Sequence, residues 1–437
     1  MNNLYQITEF QSFTCEKEVP GSNYVSLPKD LFEKLENFIL SNRSKDTDAL
    51  ELMTLSAKKG IGKTITAKNY VGLITMDGGA SIEILPKIYS KTGDEDNPDK
   101  VKRLLIEMLK TLRNAPYKSF QTTNINVEKM SVFEIFIRMF IDEIWGIVKR
   151  GLRCNYETIS SNEGMVKGKI AFSEHIKRNF AHKEMTFVEY DEFNSNRPEN
   201  KLLKSTLVYL YRKTNSSKNK SDLKTLINIF GDIDESENYD NDFSKIISSR
   251  NTKDYELALM WAKVFLKGKS FTSFSGSAVS IALLFPMETL FESYIAVMLK
   301  KQLDINRFTV SLQDKRYHLF DRLGDKIDRR FLMKPDIVVT DRLSGLRYVL
   351  DTKWKVLSNS SSNFGISQSD MYQMYAYQKK YDSKKVVLIY PLTNQIDENN
   401  DIEYISDDGV VVNVKFVDMF NVKDSILNIT RLIYDFS

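Results

Sequence analysis

The most constraining stretch of this chain is a largely apolar run, Leu346 to Leu350, that ends abruptly in Asp351-Thr352-Lys353. Such a run reads as a central strand buried on both faces, and charge at the end of a buried strand is costly unless paired or bound to a cation. Upstream, Lys334-Pro335-Asp336-Ile337-Val338-Val339 is followed by a turn at Arg342-Leu343-Ser344-Gly345, which leaves Asp336 and Asp351 15 positions apart. That spacing suits two adjacent strands joined by a hairpin. Side chains alternate along a strand, so Asp351 and Lys353 share one face, Thr352 points to the other, and Asp336 joins from the neighbouring strand. Two converging carboxylates suit Mg²⁺, with Mn²⁺ as a substitute, because hard cations prefer oxygen ligands and keep waters for chemistry. The Thr352 carbonyl would lie near the same ion. Lys353 would position or deprotonate a water and offset charge developing on a phosphate. On these residues alone, a surface hairpin carrying a salt bridge fits as well. Asp382-Ser383-Lys384 repeats D-x-K with no Pro-Asp strand before it, and is assigned to a loop.

The elements around this hairpin follow from periodicity. Met287 to Lys301 carries apolar residues at helical spacing, strands are expected at 308–312, 335–340, 346–354 and 385–390, and a helix at 367–381 separates the last two. Earlier in the chain, residues 1 to about 90 alternate short apolar runs with turns, including Asp77-Gly78-Gly79 between two strands. Lys91 to Lys100 reads as a solvated loop. Helical spacing then dominates from Val101 through the helices near 132–144, 200–212 and 255–266, with polar stretches 214–220 and 232–242 expected as loops. The fold class is multidomain α+β: a β-rich domain over 1–115, a helical middle region over 116–270, and an α/β domain over 271–437.

Composition narrows the chemistry. In 437 residues there are two cysteines and three histidines, too few for a disulfide scaffold or a Cys/His metal centre. A formal net charge of +4 says little about nucleic acid by itself. The N-terminus lacks a basic-then-apolar leader and the most apolar stretch, 278–299, is interrupted by Pro286, Glu288 and Glu292, so a cytoplasmic protein with no membrane partner is expected. Lys59-Gly60-Ile61-Gly62-Lys63-Thr64 imitates a phosphate-binding loop. Its first required glycine is Ala57, however, and strand rather than helix follows. No nucleotide is expected on this chain.

The order helix, three strands, helix, strand resembles the core of a PD-(D/E)xK, restriction-endonuclease-like nuclease domain. In related nucleases the helix before the sheet often carries a third acidic ligand, for which Glu292 is preferred over Glu288. Gln373 and Tyr377, at i and i+4 of the helix after the catalytic strand, resemble the RecB-like branch, where that helix borders the DNA path; an aromatic helix packed on the sheet is the competing reading. Over its whole length the chain resembles the McrC family. The resemblance is carried by Asn69–Ile74, Ile82–Ile88, Gly151-Leu152-Arg153, Val166–Ile170, Tyr190–Phe193, Asn200–Lys204 and Leu284–Glu288, together with the Pro335-Asp336 and Asp351-Thr352-Lys353 segments. It implies an Mg²⁺-dependent DNA endonuclease subunit of an antiphage restriction complex, a McrB-like AAA+ GTPase ring as partner, and double-stranded, modified DNA as substrate. In that family the N-terminal part enters the ring and stimulates it. Two other readings remain at this point: a non-cleaving activator of such a ring, and a stand-alone RecB-like repair nuclease.

Overall fold

The computed structural model describes residues 4–15, 23–41, 52–76, 80–89, 97–112, 131–246, 253–267, 279–322, 328–396 and 402–434. The chain divides into two compact units, residues 1–132 with 270–437, and residues 133–269. The N-terminal strands and the C-terminal α/β region therefore share one unit.

The N-terminal part of that unit contains β1 (Leu4–Thr8), β2 (Ser12–Thr14), β3 (Tyr24–Ser26), α1 (Lys29–Ser41), β4 (Met53–Lys58), β5 (Gly62–Ala67), β6 (Tyr70–Met76) and β7 (Ser81–Leu85). One sheet has the order β3-β2-β5-β4. Leu31, Phe32, Leu35, Phe38 and Ile39 of α1, at helical spacing, join the same buried core. The stretch that imitates a phosphate loop forms the β4–β5 hairpin, reversed at Gly60 and Gly62 with φ of 83° and 82°. Strands β6 and β7 pair antiparallel, and the Asp77-Gly78-Gly79 turn expected between them lies outside the described residues. Helix α2 (Pro98–Leu109) begins inside the stretch read as a loop: the Asn97 side chain accepts from the Asp99 and Lys100 amides, and Pro98 opens the first turn.

The second unit comprises α3 (Val132–Arg150), β8 (Asn155–Glu163), β9 (Lys169–Ile170), α4 (Phe172–Arg178), β10 (Thr186–Asn194), α5 (Pro198–Lys213), α6 (Ser217–Ile229), α7 (Tyr239–Lys245) and α8 (Lys253–Lys267). It is not wholly helical, since β8, β10 and β9 form an antiparallel sheet. The polar stretches expected as loops are partly helical. Buried Glu134 of α3 accepts from Thr214 Oγ1 at 2.7 Å, the Asn215 amide at 2.6 Å and Asn219 Nδ2 at 2.8 Å, which orders the start of α6.

The remainder of the first unit runs β11 (Val279–Pro286), α9 (Met287–Gln302), β12 (Phe308–Leu312), β13 (His318–Arg322), β14 (Asp328–Leu332), β15 (Ile337–Asp341), β16 (Arg347–Thr352), α10 (Gln368–Tyr381), β17 (Ser383–Pro391), β18 (Ile402–Ile405), β19 (Val411–Val417) and α11 (Val422–Tyr434). Strand β11 joins the N-terminal sheet, order β1-β7-β6-β11, through an antiparallel ladder with β6. The C-terminal sheet has the order β12-β15-β16-β17-β19-β18. Its centre, β16, pairs antiparallel with β15 and parallel with β17. The D-x-K copy at 382–384 differs from the loop expected of it. Asp382 closes α10 with a left-handed φ of 46°, and Ser383 opens β17 beside Arg347, at the end of β16 remote from Asp351.

Candidate active site

The site forms where β15 begins and β16 ends. Because Ile337 pairs with Leu350, the register places Asp336 beside Asp351 at the rim of the sheet. Asp336 Oδ2 accepts from both the amide and the hydroxyl of Thr352, each at 2.8 Å. Strict alternation would turn that hydroxyl away. Asp336 lies one residue outside the ladder, where the pleat no longer dictates direction.

Asp351 is buried, and its Oδ2 lies 2.6 Å from Lys353 Nζ. The Lys353 ammonium is thus the partner of this carboxylate oxygen. Lys353 Nζ donates to Gln373 Oε1 at 3.2 Å, and Gln373 Nε2 donates to Tyr377 OH at 2.7 Å. The helix residues picked out by their spacing thus meet the end of β16 through Lys353.

Burial, with the Asp336 charge added, pushes the Asp351 carboxyl up to about 7 against the pull of Lys353. Burial also raises Asp336, although the Thr352 bonds oppose it. Burial would lower Lys353, but the Asp351 and Asp336 charges outweigh it and hold the ammonium above its ordinary value. Two neighbouring acids, Asp351 buried and Asp336 half-buried, that resist joint ionisation define a place for positive charge.

An open cleft of about 350 Å³ runs past Glu288, Glu292, Asp336, Thr352, Lys353, Lys355 and Asp370. The two helix glutamates differ in their ties. Glu288 is exposed and accepts from Asn69 Nδ2 at 2.8 Å, whereas half-buried Glu292 accepts from Gln313 Nε2. The same amide nitrogen lies 3.5 Å from Asp336 Oδ1, so Gln313 links Glu292 to the strand acid. Among the described residues no group of three Asp, Glu, His or Cys side chains is gathered closely enough to enclose a metal. The donor set still fits a hard divalent cation: the side chains of Glu292, Asp336 and Asp351 and the hydroxyl of Thr352 offer oxygen alone.

Three participants carried no sequence signal. Gln313 lies in an irregular segment with φ 52°. Asp370, at the start of α10, pairs with Lys355 at 2.7 Å. Glu9, just beyond β1, is fully buried and accepts from Trp354 Nε1 at 3.2 and 3.3 Å and from the Lys87 amide at 2.9 Å. Burial pushes its carboxyl up to about 8, against those hydrogen bonds. Trp354 follows Lys353 directly and packs on Phe291, with ring centroids 5.3 Å apart, so the N-terminal sheet braces the site from behind. In Thr8-Glu9-Phe10 the glutamate reads as a surface turn residue.

A mixed six-stranded sheet with helices α9 and α10 at its acidic rim defines an α/β protein whose cleft is built around two acids and a lysine. The description "McrBC 5-methylcytosine restriction system component" matches residues 65–391, and the chain belongs to that family. No curated protein matches it. Its fold is similar to a chain in the refined half-complex from the tetradecameric assembly of Thermococcus gammatolerans McrB AAA+ hexamers with bound McrC, with a TM-score of 0.67, 19% identity, and coverage of 99% of this chain and 100% of that one. A chain of the cryo-EM Thermococcus gammatolerans McrBC complex matches with a TM-score of 0.46 and 19% identity, over 69% of this chain and 88% of that one. Among the described residues no helix is long and apolar enough to cross a membrane.

Proposed function

We propose that this chain is the DNA endonuclease subunit of a McrBC-type restriction complex, dependent on Mg²⁺ and active with a McrB-like AAA+ GTPase ring. The observation that carries the reading is the pairing of half-buried Asp336 with buried Asp351 and Lys353 at one strand end. Asp336, Asp351, the Thr352 carbonyl and Glu292 would hold the cation, which supplies Lewis-acid polarisation of a phosphodiester and of water. Lys353, held between Asp351 and Gln373, stays protonated. It orients the attacking water and offsets negative charge gathering on the phosphate. Gln373 fixes the lysine, and Tyr377 fixes Gln373. Gln313 keeps Glu292 and Asp336 turned toward each other.

The test is cleavage of 5-methylcytosine-containing plasmid by the full complex. Asp351→Ala should abolish cutting while assembly with the ring persists, a loss of several kcal/mol of transition-state stabilisation. Lys353→Ala should keep metal binding and lose turnover. Wild-type cutting by the purified Asp351→Ala complex would overturn the assignment.

Ring docking has a candidate surface in the second unit. Tyr156 and Phe193 pack at 5.0 Å on the β8–β10 ladder, and with Met165, Phe172 and Phe180 they are more than 60% exposed. Exposed large apolar side chains of this number in one unit suit an interaction surface. Phe180→Glu should weaken ring association and nucleotide turnover together, and unchanged association would remove this surface from the proposal.

A further inference from the structure

Strands β13 and β14 pair with each other as a separate two-stranded ribbon, inserted in the chain between β12 and β15. The ribbon holds an aromatic pair out in solvent: Phe320 is 62% exposed and Phe331 72%, with ring centroids 6.1 Å apart and nearly perpendicular. Alternation should send these rings to opposite faces, since Phe320 sits across from Arg330. Phe331 instead adopts a left-handed φ of 58°, rare for a bulky residue, and this brings the rings together. The strained backbone gains no burial for either ring, so the arrangement serves something outside the fold. Beside the rings, Arg330 is occupied by Asp328, at 2.8 Å from Nε. Arg329 stands opposite Asp321 with no ion pair to it among the described residues. Four residues beyond Leu332 the same chain reaches Asp336, whose carbonyl accepts from the Gln313 amide at 2.8 Å, so the two segments that lead into the ribbon start beside the candidate cleavage site.

We propose that this ribbon is a DNA-binding arm, in which Phe320 and Phe331 form an apolar wedge against the bases of the duplex held at Asp336 and Asp351 while Arg329 and Lys334 take its phosphates. The inference rests on the nuclease reading above. Exposed aromatics among cations, on a ribbon whose connections start beside Asp336, suit nucleic acid: apolar wedges enter base steps and basic side chains neutralise the backbone beside them. A ribbon at this place can hold or kink the duplex without reading its sequence.

The test is anisotropy of a fluorescein-labelled DNA duplex with the full chain, in Ca²⁺ to hold back hydrolysis, over a salt series. Phe320→Ala with Phe331→Ala should raise Kd roughly 10-fold and leave the salt slope unchanged. Arg329→Ala should lower that slope by about one. Phe331→Gly relaxes the left-handed residue, so it should keep or raise the unfolding midpoint and still weaken DNA binding, a split that a merely structural role would not produce. Unchanged DNA affinity in the phenylalanine variants, with Asp351→Ala still abolishing cleavage, would overturn the arm and leave the nuclease reading intact. Loss of ring association at unchanged DNA affinity would overturn it too, and assign the aromatic pair to a protein contact. A wild-type chain that neither binds nor cuts DNA would overturn both.

Discussion

Glu9 offers a direct test of how the N-terminal sheet supports the site. Its carboxyl, ordinarily near 4.5, rises to about 8 because it is buried. The folded chain therefore holds this proton more tightly than the unfolded chain, and stability falls as pH rises through the window from 4.5 to 8. The shift spans about 3.5 units at about 1.4 kcal/mol each, so ionised Glu9 costs the fold about 5 kcal/mol above pH 8 and nothing below pH 4.5. Glu9→Gln removes the charge and keeps the shape. A carbonyl at the Oε2 position still accepts from the Lys87 amide and from Trp354 Nε1. The variant should match wild type at acid pH and exceed it by several kcal/mol above pH 8. Urea unfolding of both proteins between these limits, followed by Trp fluorescence, measures the difference; Trp354 is the only Trp in residues 1–132 and 270–437. Parallel stability curves across the range would refute a buried, proton-holding Glu9.

Other expectations follow the same physics. Asp351→Asn should stabilise the metal-free chain at alkaline pH, because Asp351 is held up to about 7 and its ionisation weakens the fold as pH rises through that value, while cleavage is lost. Gln313→Ala should weaken Mn²⁺ binding about 10-fold in calorimetry, the usual cost of removing a group that orients ligands. Gly72→Ala should cost at least about 3 kcal/mol in urea unfolding: a Cβ there would fall 1.9 Å from the Leu283 carbonyl oxygen, at a φ of 136°. A Gly72→Ala chain as stable as wild type would show that the β6–β11 contact is looser than described.

Much of the C-terminal architecture was legible because burial imposes period. Strands at 308–312 and 337–341 and helices at 287–302 and 368–381 sit within two residues of their expected bounds, since each carries apolar residues at the spacing of its element. The β8–β10 ladder was not legible. Its residues, such as Glu157, Ser160, Glu189 and Asp191, are mostly polar, and its aromatics Tyr156 and Phe193 face solvent, so neither period stands out. Helix α6 was hidden for another reason. Its order depends on Glu134, some 80 positions away, and no local pattern announces a distant carboxylate. At the site, Asp336, Asp351, Lys353, Gln373 and Tyr377 could be paired by spacing. Gln313 and Glu9 could not, because each arrives from an irregular segment and acts only through contacts distant in sequence.

The ladder between β6 and β11 also sets a timetable for synthesis. Tyr70 must wait for Pro286, its partner, which is translated about 200 residues later. At roughly 5–20 residues per second, the β6 edge stays unpaired for about 10–40 seconds on the ribosome. Residues 133–269 are contiguous and can fold in that interval. The exposed edge, carrying Val71, Leu73 and Ile74, is then the segment a nascent-chain chaperone would be expected to shield. It is also why a cut at residue 270 would separate the N-terminal sheet from its own fourth strand.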